Sequence, residues 1–226
     1  MKLTPDMLTG KSREHLVHLP TLHSTHHFLQ AQAMKAFQGL QQSAVKNGFN
    51  LQPASSFRDF ARQQLIWNGK FSGERKVHDD AGNALDLTHL DDWQKAQAIL
   101  RWSALPGASR HHWGTEIDIF DPDLLPQGQP LQLEPWEYEK GGYFFELSEF
   151  LTENLPHFDF SLPFMQMPAE KKIGREPWHI SYIPLAEKAK QLFSAEVLLQ
   201  AWEKEEIAGK ATLQQHLPQI FEQYFV

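Results

Sequence analysis

The sequence predicts an α+β domain, with helices at both ends enclosing a few central strands. Three patterns carry that prediction: apolar residues at helical spacing before residue 70, alternating segments near 115–120 and 178–182, and a helical pattern after Pro184. At 226 residues the chain is long enough for one domain with a substantial core. Its seven tryptophans and sixteen phenylalanines favour a packed globule over disorder.

In chain order, Thr25 to Asn47 places Phe28, Ala31, Met34, Phe37 and Val45 at roughly helical spacing, and Gly48 closes that helix. Ser55-Ser56 offers an N-cap for a helix over Phe57 to Trp67, which stops at Asn68-Gly69. Residues 70–90 read as a polar loop. Asp91-Asp92 place acids at the positive end of a helix running to about Ser103. After a turn at Leu105-Pro106-Gly107, Thr115 to Phe120 alternate like a strand. Gly141-Gly142 lead into a helix over Tyr143 to Leu155, and Trp178, Ile180 and Tyr182 alternate in a second strand ended by Pro184. The remainder reads as helix, interrupted near Gly209 and Pro218. We therefore expect a main domain over 1–184 and a helical extension over 185–226, packed on the same domain.

Composition removes several classes of function. The formal charge of −7 speaks against a general nucleic-acid binder, which needs a basic footprint. With no cysteine there is no disulfide and no thiolate chemistry, so any metal is held by His, Asp or Glu. No window reaches the ~18 continuous apolar residues of a membrane span. The first twenty residues carry no apolar signal core, so the expected compartment is the cytoplasm, or the periplasm if a signal has been removed.

Two short stretches concentrate chemistry: Ser109-Arg110-His111-His112-Trp113-Gly114-Thr115-Glu116-Ile117-Asp118, and Glu176-Pro177-Trp178-His179. A catalytic zinc commonly takes three protein ligands and keeps an open position. A carboxylate beside that position can remove a proton from attacking water. His111, Asp118 and His179 would be ligands and Glu176 the base. Gly114 would let the chain turn so that His111 and Asp118 converge, and Pro177 would keep Glu176 out of a regular helix. Spacing alone leaves a second reading open, in which His111 caps a turn and His179 is a satisfied core histidine beside Trp178.

The first stretch is similar to the S-x-H-x-x-G-x-A-x-D motif of the LAS superfamily of metallopeptidases, the VanY-like D-alanyl-D-alanine carboxypeptidases, and EPWH resembles its E-x-W-H motif. A third segment, Ser55-Ser56-Phe57-Arg58-Asp59-Phe60-Ala61-Arg62-Gln63, resembles S-G-Y-R-S-x-x-x-Q. The three occur in order over about residues 55–183. The resemblance implies a small central antiparallel sheet flanked by helices. It implies Zn2+ held by His111, Asp118 and His179, with Glu176 as general base. It further implies that Arg58 engages substrate or developing negative charge, that Gln63 shapes the same pocket, and that Ser109 bonds substrate or braces the site. An arginine fork suits carboxylates and oxyanions alike. The chain departs from the pattern at three places. Glu116 stands where a small residue is usual, Arg175 where an aromatic is frequent, and Ile180-Ser181 replaces a commoner aromatic-arginine pair.

Other conspicuous residues receive plainer readings. His112 is left without a role. His23, His26 and His27 are expected to be solvated or capping. His78 and His89, among Asp79, Asp80 and Asp86, are expected in a polar loop near the pocket mouth, with a substrate-covering lid as one possible use. Trp113 and Trp178 are expected to be core, with lining of the cleft as the alternative for either. Tyr143-Phe144-Phe145 are expected to be helix core rather than a sugar platform, and the apolar run Phe221 to Val226 to dock. The expected function is hydrolysis of the bond to the C-terminal D-alanine of peptidoglycan stem peptides or muropeptides. That would be L,D cleavage of tetrapeptides or D,D cleavage of pentapeptides. Two alternatives stay open: a non-catalytic zinc-bearing domain that binds cell-wall peptides or a protein partner, and a helical interaction protein. Oligomeric state is not legible.

Overall fold

A computed structural model describes residues 2–21 and 26–225. The helices are α1 (Pro5–Leu8), α2 (Ala31–Lys46), α3 (Phe60–Phe71), α4 (Asp92–Leu100), α5 (Pro135–Tyr138), α6 (Phe145–Asn154), α7 (Ile183–Leu192), α8 (Ala195–Ala201), α9 (Lys210–Gln215) and α10 (Leu217–Tyr224). The strands are β1 (Val17–His18), β2 (Phe28–Leu29), β3 (Gln52–Ser55), β4 (Glu116–Phe120), β5 (Phe160–Ser161) and β6 (His179–Tyr182). Strands β1 and β2 form a separate pair, and a four-stranded antiparallel sheet runs β3-β4-β6-β5. The architecture is α+β, as expected.

Local chemistry sets most boundaries. Asp91 caps α4 by accepting from Gln94 N at 2.8 Å, and the Gln94 side chain returns to Asp91 N at 3.0 Å, a reciprocal capping box. Pro184 and Pro218 stand in the first turns of α7 and α10, where a missing N–H costs no helical bond. The expected break at Pro218 is therefore a helix start.

Three features differ from the sequence reading. The helix expected from Thr25 begins at Ala31, because Phe28-Leu29 pair with Val17-His18; Thr25 and His23 lie outside the described residues. Ser55 does not cap a helix but ends β3, an edge strand where Pro53 needs no ladder donor. The cap of α3 is Asp59, accepting from Arg62 N at 2.7 Å, so Arg58 sits in the strand-to-helix connection. Finally, Arg110–Trp113 form a 3-10 turn that no hydrophobic period announced.

Two apolar clusters flank the site. One gathers α2, α6 and the Ile117, Ile119, Ile180 and Tyr182 face of the sheet. The other joins Trp67 and Ile99 to Phe193, Leu198, Trp202, Leu213 and Ile220 from the C-terminal helices. Phe193 stacks on Phe221 and Phe225, at ring-centroid distances of 5.9 and 4.9 Å, so the apolar tail docks as far as it is described.

Candidate active site

Strands β4 and β6 build the centre. Their register pairs Asp118 with His179 and Glu116 with Ser181. Because strand residues alternate, these four side chains share one face, while Ile117, Ile119, Ile180 and Tyr182 enter the apolar cluster behind. His111 arrives from the 3-10 turn. That turn ends at Gly114, in the left-handed region (φ 67°), where a Cβ would collide with Leu16. The turn expected of Gly114 is present, and its positive φ and the close approach of Leu16 favour glycine there.

His111, Asp118 and His179 are all buried, and one ligand atom from each lies within 4.8 Å of the others. His111 Nε2 faces Asp118 Oδ2 at 3.3 Å, and His179 Nδ1 faces Asp118 Oδ1 at 3.0 Å. The far nitrogens are committed elsewhere. His111 Nδ1 lies 2.7 Å from the Ser56 carbonyl and His179 Nε2 lies 2.8 Å from Glu116 Oε2, and both oxygens are acceptors. With a metal in place, each far nitrogen would keep the ring proton for its acceptor, leaving the lone pairs of His111 Nε2 and His179 Nδ1 for a cation beside the Asp118 carboxylate. Three electron-pair donors aimed at one point call for a cation, and a His/Asp/His set suits zinc.

Electrostatics agree. Burial raises the Asp118 carboxyl, but the two imidazoles more than offset it and hold the group far below the usual range. Burial lowers His179, yet its hydrogen bonds to Asp118 and Glu116 reverse this and raise it to about 9. Without a metal, a proton occupies the place a cation would take. Glu176 approaches His179 Nδ1 at 3.7 Å from the bend before β6, and burial lifts its carboxyl to about 7.

Arg58 reaches the same centre, its Nη2 4.0 Å from Asp118 Oδ2. Its Nη1 donates to Gln63 Oε1 at 2.9 Å, and Gln63, fully buried, donates in turn to the Ala104 carbonyl at 2.7 Å. The backbone of Arg58 is clasped by the turn, donating to the His111 carbonyl and accepting from His112 Nδ1. His112, left without a role by the sequence, thus holds Arg58 in place. Its Nε2 accepts from Gly107 N at 3.1 Å, and burial keeps it neutral by pushing its pKa down to about 3.

Arg58, Ser109, His111, Asp118, Glu176 and His179 all line one cavity of about 350 Å³. The structure therefore brings every site residue expected from the sequence to one cavity except Gln63, which braces Arg58 from behind. Among the wall residues that sequence reasoning missed are Lys70 from α3, and Tyr224 and Phe225 from the C-terminal segment. Nothing in their local pattern marks them, since only tertiary packing carries them there. Trp113 is core as expected, whereas Trp178 both packs behind the sheet and lines the cavity. In the polar loop, Lys76 and His78 also line the cavity, while Asp80 pairs with Arg101 and Asp79 and Asp86 bond their own turns.

The sequence model of the family described as VanY, D-alanyl-D-alanine carboxypeptidase, matches residues 26–185. Two uncharacterized proteins of Haemophilus influenzae are similar. One is 73% identical over 122 residues, covering 54% of this chain and 93% of that protein. The other is 84% identical over 105 residues, covering 46% and 72%. Among solved structures, VanYB in complex with D-alanine-D-alanine aligns with a TM-score of 0.52 and 23% identity, covering 86% of this chain and 92% of that one. The LdcB LD-carboxypeptidase aligns at 0.54 and 19%, covering 81% and 74%. The vancomycin-resistance D,D-pentapeptidase VanY in complex with Zn(II) aligns at 0.50 and 22%, covering 82% and 91%. At these identities the structural likeness is one of fold.

Proposed function

Since the chain belongs to the VanY D-alanyl-D-alanine carboxypeptidase family, we propose that it is a zinc-dependent carboxypeptidase releasing the C-terminal D-alanine of peptidoglycan stem peptides. The observation that carries this reading is the convergence of His111 Nε2 and His179 Nδ1 on Asp118, with Glu176 3.7 Å from His179. In this reading His111 Nε2, Asp118 and His179 Nδ1 hold the metal. Zinc in that position supplies Lewis acidity, polarising the scissile carbonyl and making the attacking water more acidic.

The remaining steps fall to side chains. Glu176 takes a proton from the water as its oxygen bonds to the carbonyl carbon. It then returns that proton to the departing amine of D-alanine as the C–N bond breaks, so the carboxylate is regenerated. Its pKa near 7 suits both halves of that exchange. Arg58 binds an anionic oxygen, whether the terminal carboxylate or the developing oxyanion, and Gln63 fixes its fork for that task. The neighbours' bound D-alanine-D-alanine and Zn(II) support the same assignment.

The test is incubation of zinc-loaded protein with muropeptides ending in tetrapeptide and in pentapeptide, followed by mass spectrometry. Loss of one alanine is the expected result. Loss from the tetrapeptide identifies L,D cleavage, and loss from the pentapeptide D,D cleavage. An intact, zinc-bearing protein that releases alanine from neither overturns the enzymatic reading in favour of a binding domain.

A further inference from the structure

The reaction just described uses Asp118 and His179 from the polar face of the β4–β6 ladder but leaves Glu116 without a task. Glu116 is fully buried, at 0% exposure, and every oxygen is engaged. Its Oε1 accepts from Thr115 Oγ1 at 2.9 Å, Ser181 Oγ at 2.8 Å and Arg110 Nη2 at 3.3 Å. Its Oε2 receives His179 Nε2 at 2.8 Å. Arg110 also donates to Ser181 Oγ at 2.8 Å and lies over the Trp113 ring, 5.0 Å from its centroid, so the cation too is fixed. Glu116 and Ser181 are two of the positions where the sequence departs from the family pattern, and they face each other across the ladder. The departures therefore belong to one structural unit.

We infer that Glu116 is a positioning residue: anchored by Arg110, Thr115 and Ser181, it holds the proton of His179 on Nε2 and so presents Nδ1 to the metal. The inference rests on the proposed metal reading. Taking a carboxylate and a guanidinium out of water is costly unless both are fully bonded, and a small residue at 116 would avoid that cost. What the glutamate adds is a fixed tautomer, a fixed ring plane and a more basic ligand nitrogen, as carboxylates behind metal-bound histidines do generally. Arg110 is part of the same device, because it holds Glu116 Oε1 and Ser181 Oγ together and leaves Oε2 to His179.

The experiment compares the zinc dissociation constants of full-length wild type and Glu116→Gln by competition with a chromophoric chelator. Melting temperature and the downfield proton signal of the His179 ring N–H are recorded alongside. Glu116→Gln should keep the fold, weaken zinc binding by about 10- to 100-fold, and shift or lose the ring N–H signal. Unchanged affinity with an unchanged signal overturns the inference and leaves the metal reading standing. A wild type that takes up no zinc overturns both. If Glu116→Gln does not fold, Ser181→Ala decides, since it removes one anchor while keeping both charges. Weaker zinc binding in that variant supports the inference, and binding equal to wild type refutes it.

Discussion

The two faces of the β4–β6 ladder differ in almost everything except their backbone. One face carries Glu116, Asp118, His179 and Ser181, all buried and all hydrogen-bonded. The other carries Ile117, Ile119, Ile180 and Tyr182, which pack against α2 and α6 with hydrocarbon and aromatic contacts. The polar face has the desolvation of ionised groups against it, which its hydrogen bonds and ion pairs only offset. The apolar face supplies net stability through burial. A two-residue period lets one pair of strands do both, each side chain belonging to one task.

The strongest test of this division sits at the edge of the polar face. Glu176→Gln should lower turnover by about 10²- to 10⁴-fold, the usual range for a lost general base, while zinc content stays at wild-type level. Its melting temperature above neutral pH should be no lower than wild type. Burial raises the folded-state pKa to about 7, so ionising Glu176 costs stability as pH rises from the unfolded value toward and through 7. The neutral amide escapes that loss. Normal turnover in this variant would remove Glu176 from the reaction.

Ile180→Ala probes the opposite face from the neighbouring position. Ile180 is fully buried, so truncation should cost about 2–5 kcal/mol of stability through lost burial and an unfilled cavity. The folded fraction should still bind zinc and turn over normally. Urea unfolding read beside zinc titration distinguishes the outcomes, and a change in zinc affinity at full folding would mean that the two faces are coupled.

The same alternation decided what was legible in the sequence. β4 and β6 each present a clear period of two, so Asp118, His179 and their apolar neighbours could be assigned to strands before any coordinates. The candidate ligands stood out because their residue types carry chemistry and because the motifs match a known family. The pieces that were not legible owe their shape to distant partners. The 3-10 turn at Arg110–Trp113 is held by Ser56, Arg58 and Gly107 rather than by a local pattern. β3 was hidden because Pro53 reads against a strand until it is known to lie at an edge. Glu116 was legible only as a departure from the family's usual small residue, since no sequence rule links it to Arg110 or to Ser181. Tyr224 and Phe225 reach the cavity from the end of α10, outside residues 26–185, so no motif could have announced them.

The smallest predicted effect concerns pH, and it separates the faces most finely. In the metal-free protein His179 is raised from an ordinary value of 6.5 to about 9, so its favourable contacts are fully present below 6.5 and fade as pH rises through 9. The metal-free protein should therefore lose stability over that interval. A cation bound at Nδ1 needs the deprotonated ring, so zinc must displace this proton. Apparent zinc affinity should then rise about tenfold per pH unit up to roughly 9, and flatten above it once no proton is left to displace. Calorimetry in buffers of different ionisation enthalpy would count the released proton directly. Ile180→Ala should leave both the slope and the count unchanged, because nothing on the apolar face titrates here. Zinc binding that releases no proton between pH 7 and 8 would mean that the ring is already neutral, and that Asp118 and Glu116 do not govern it.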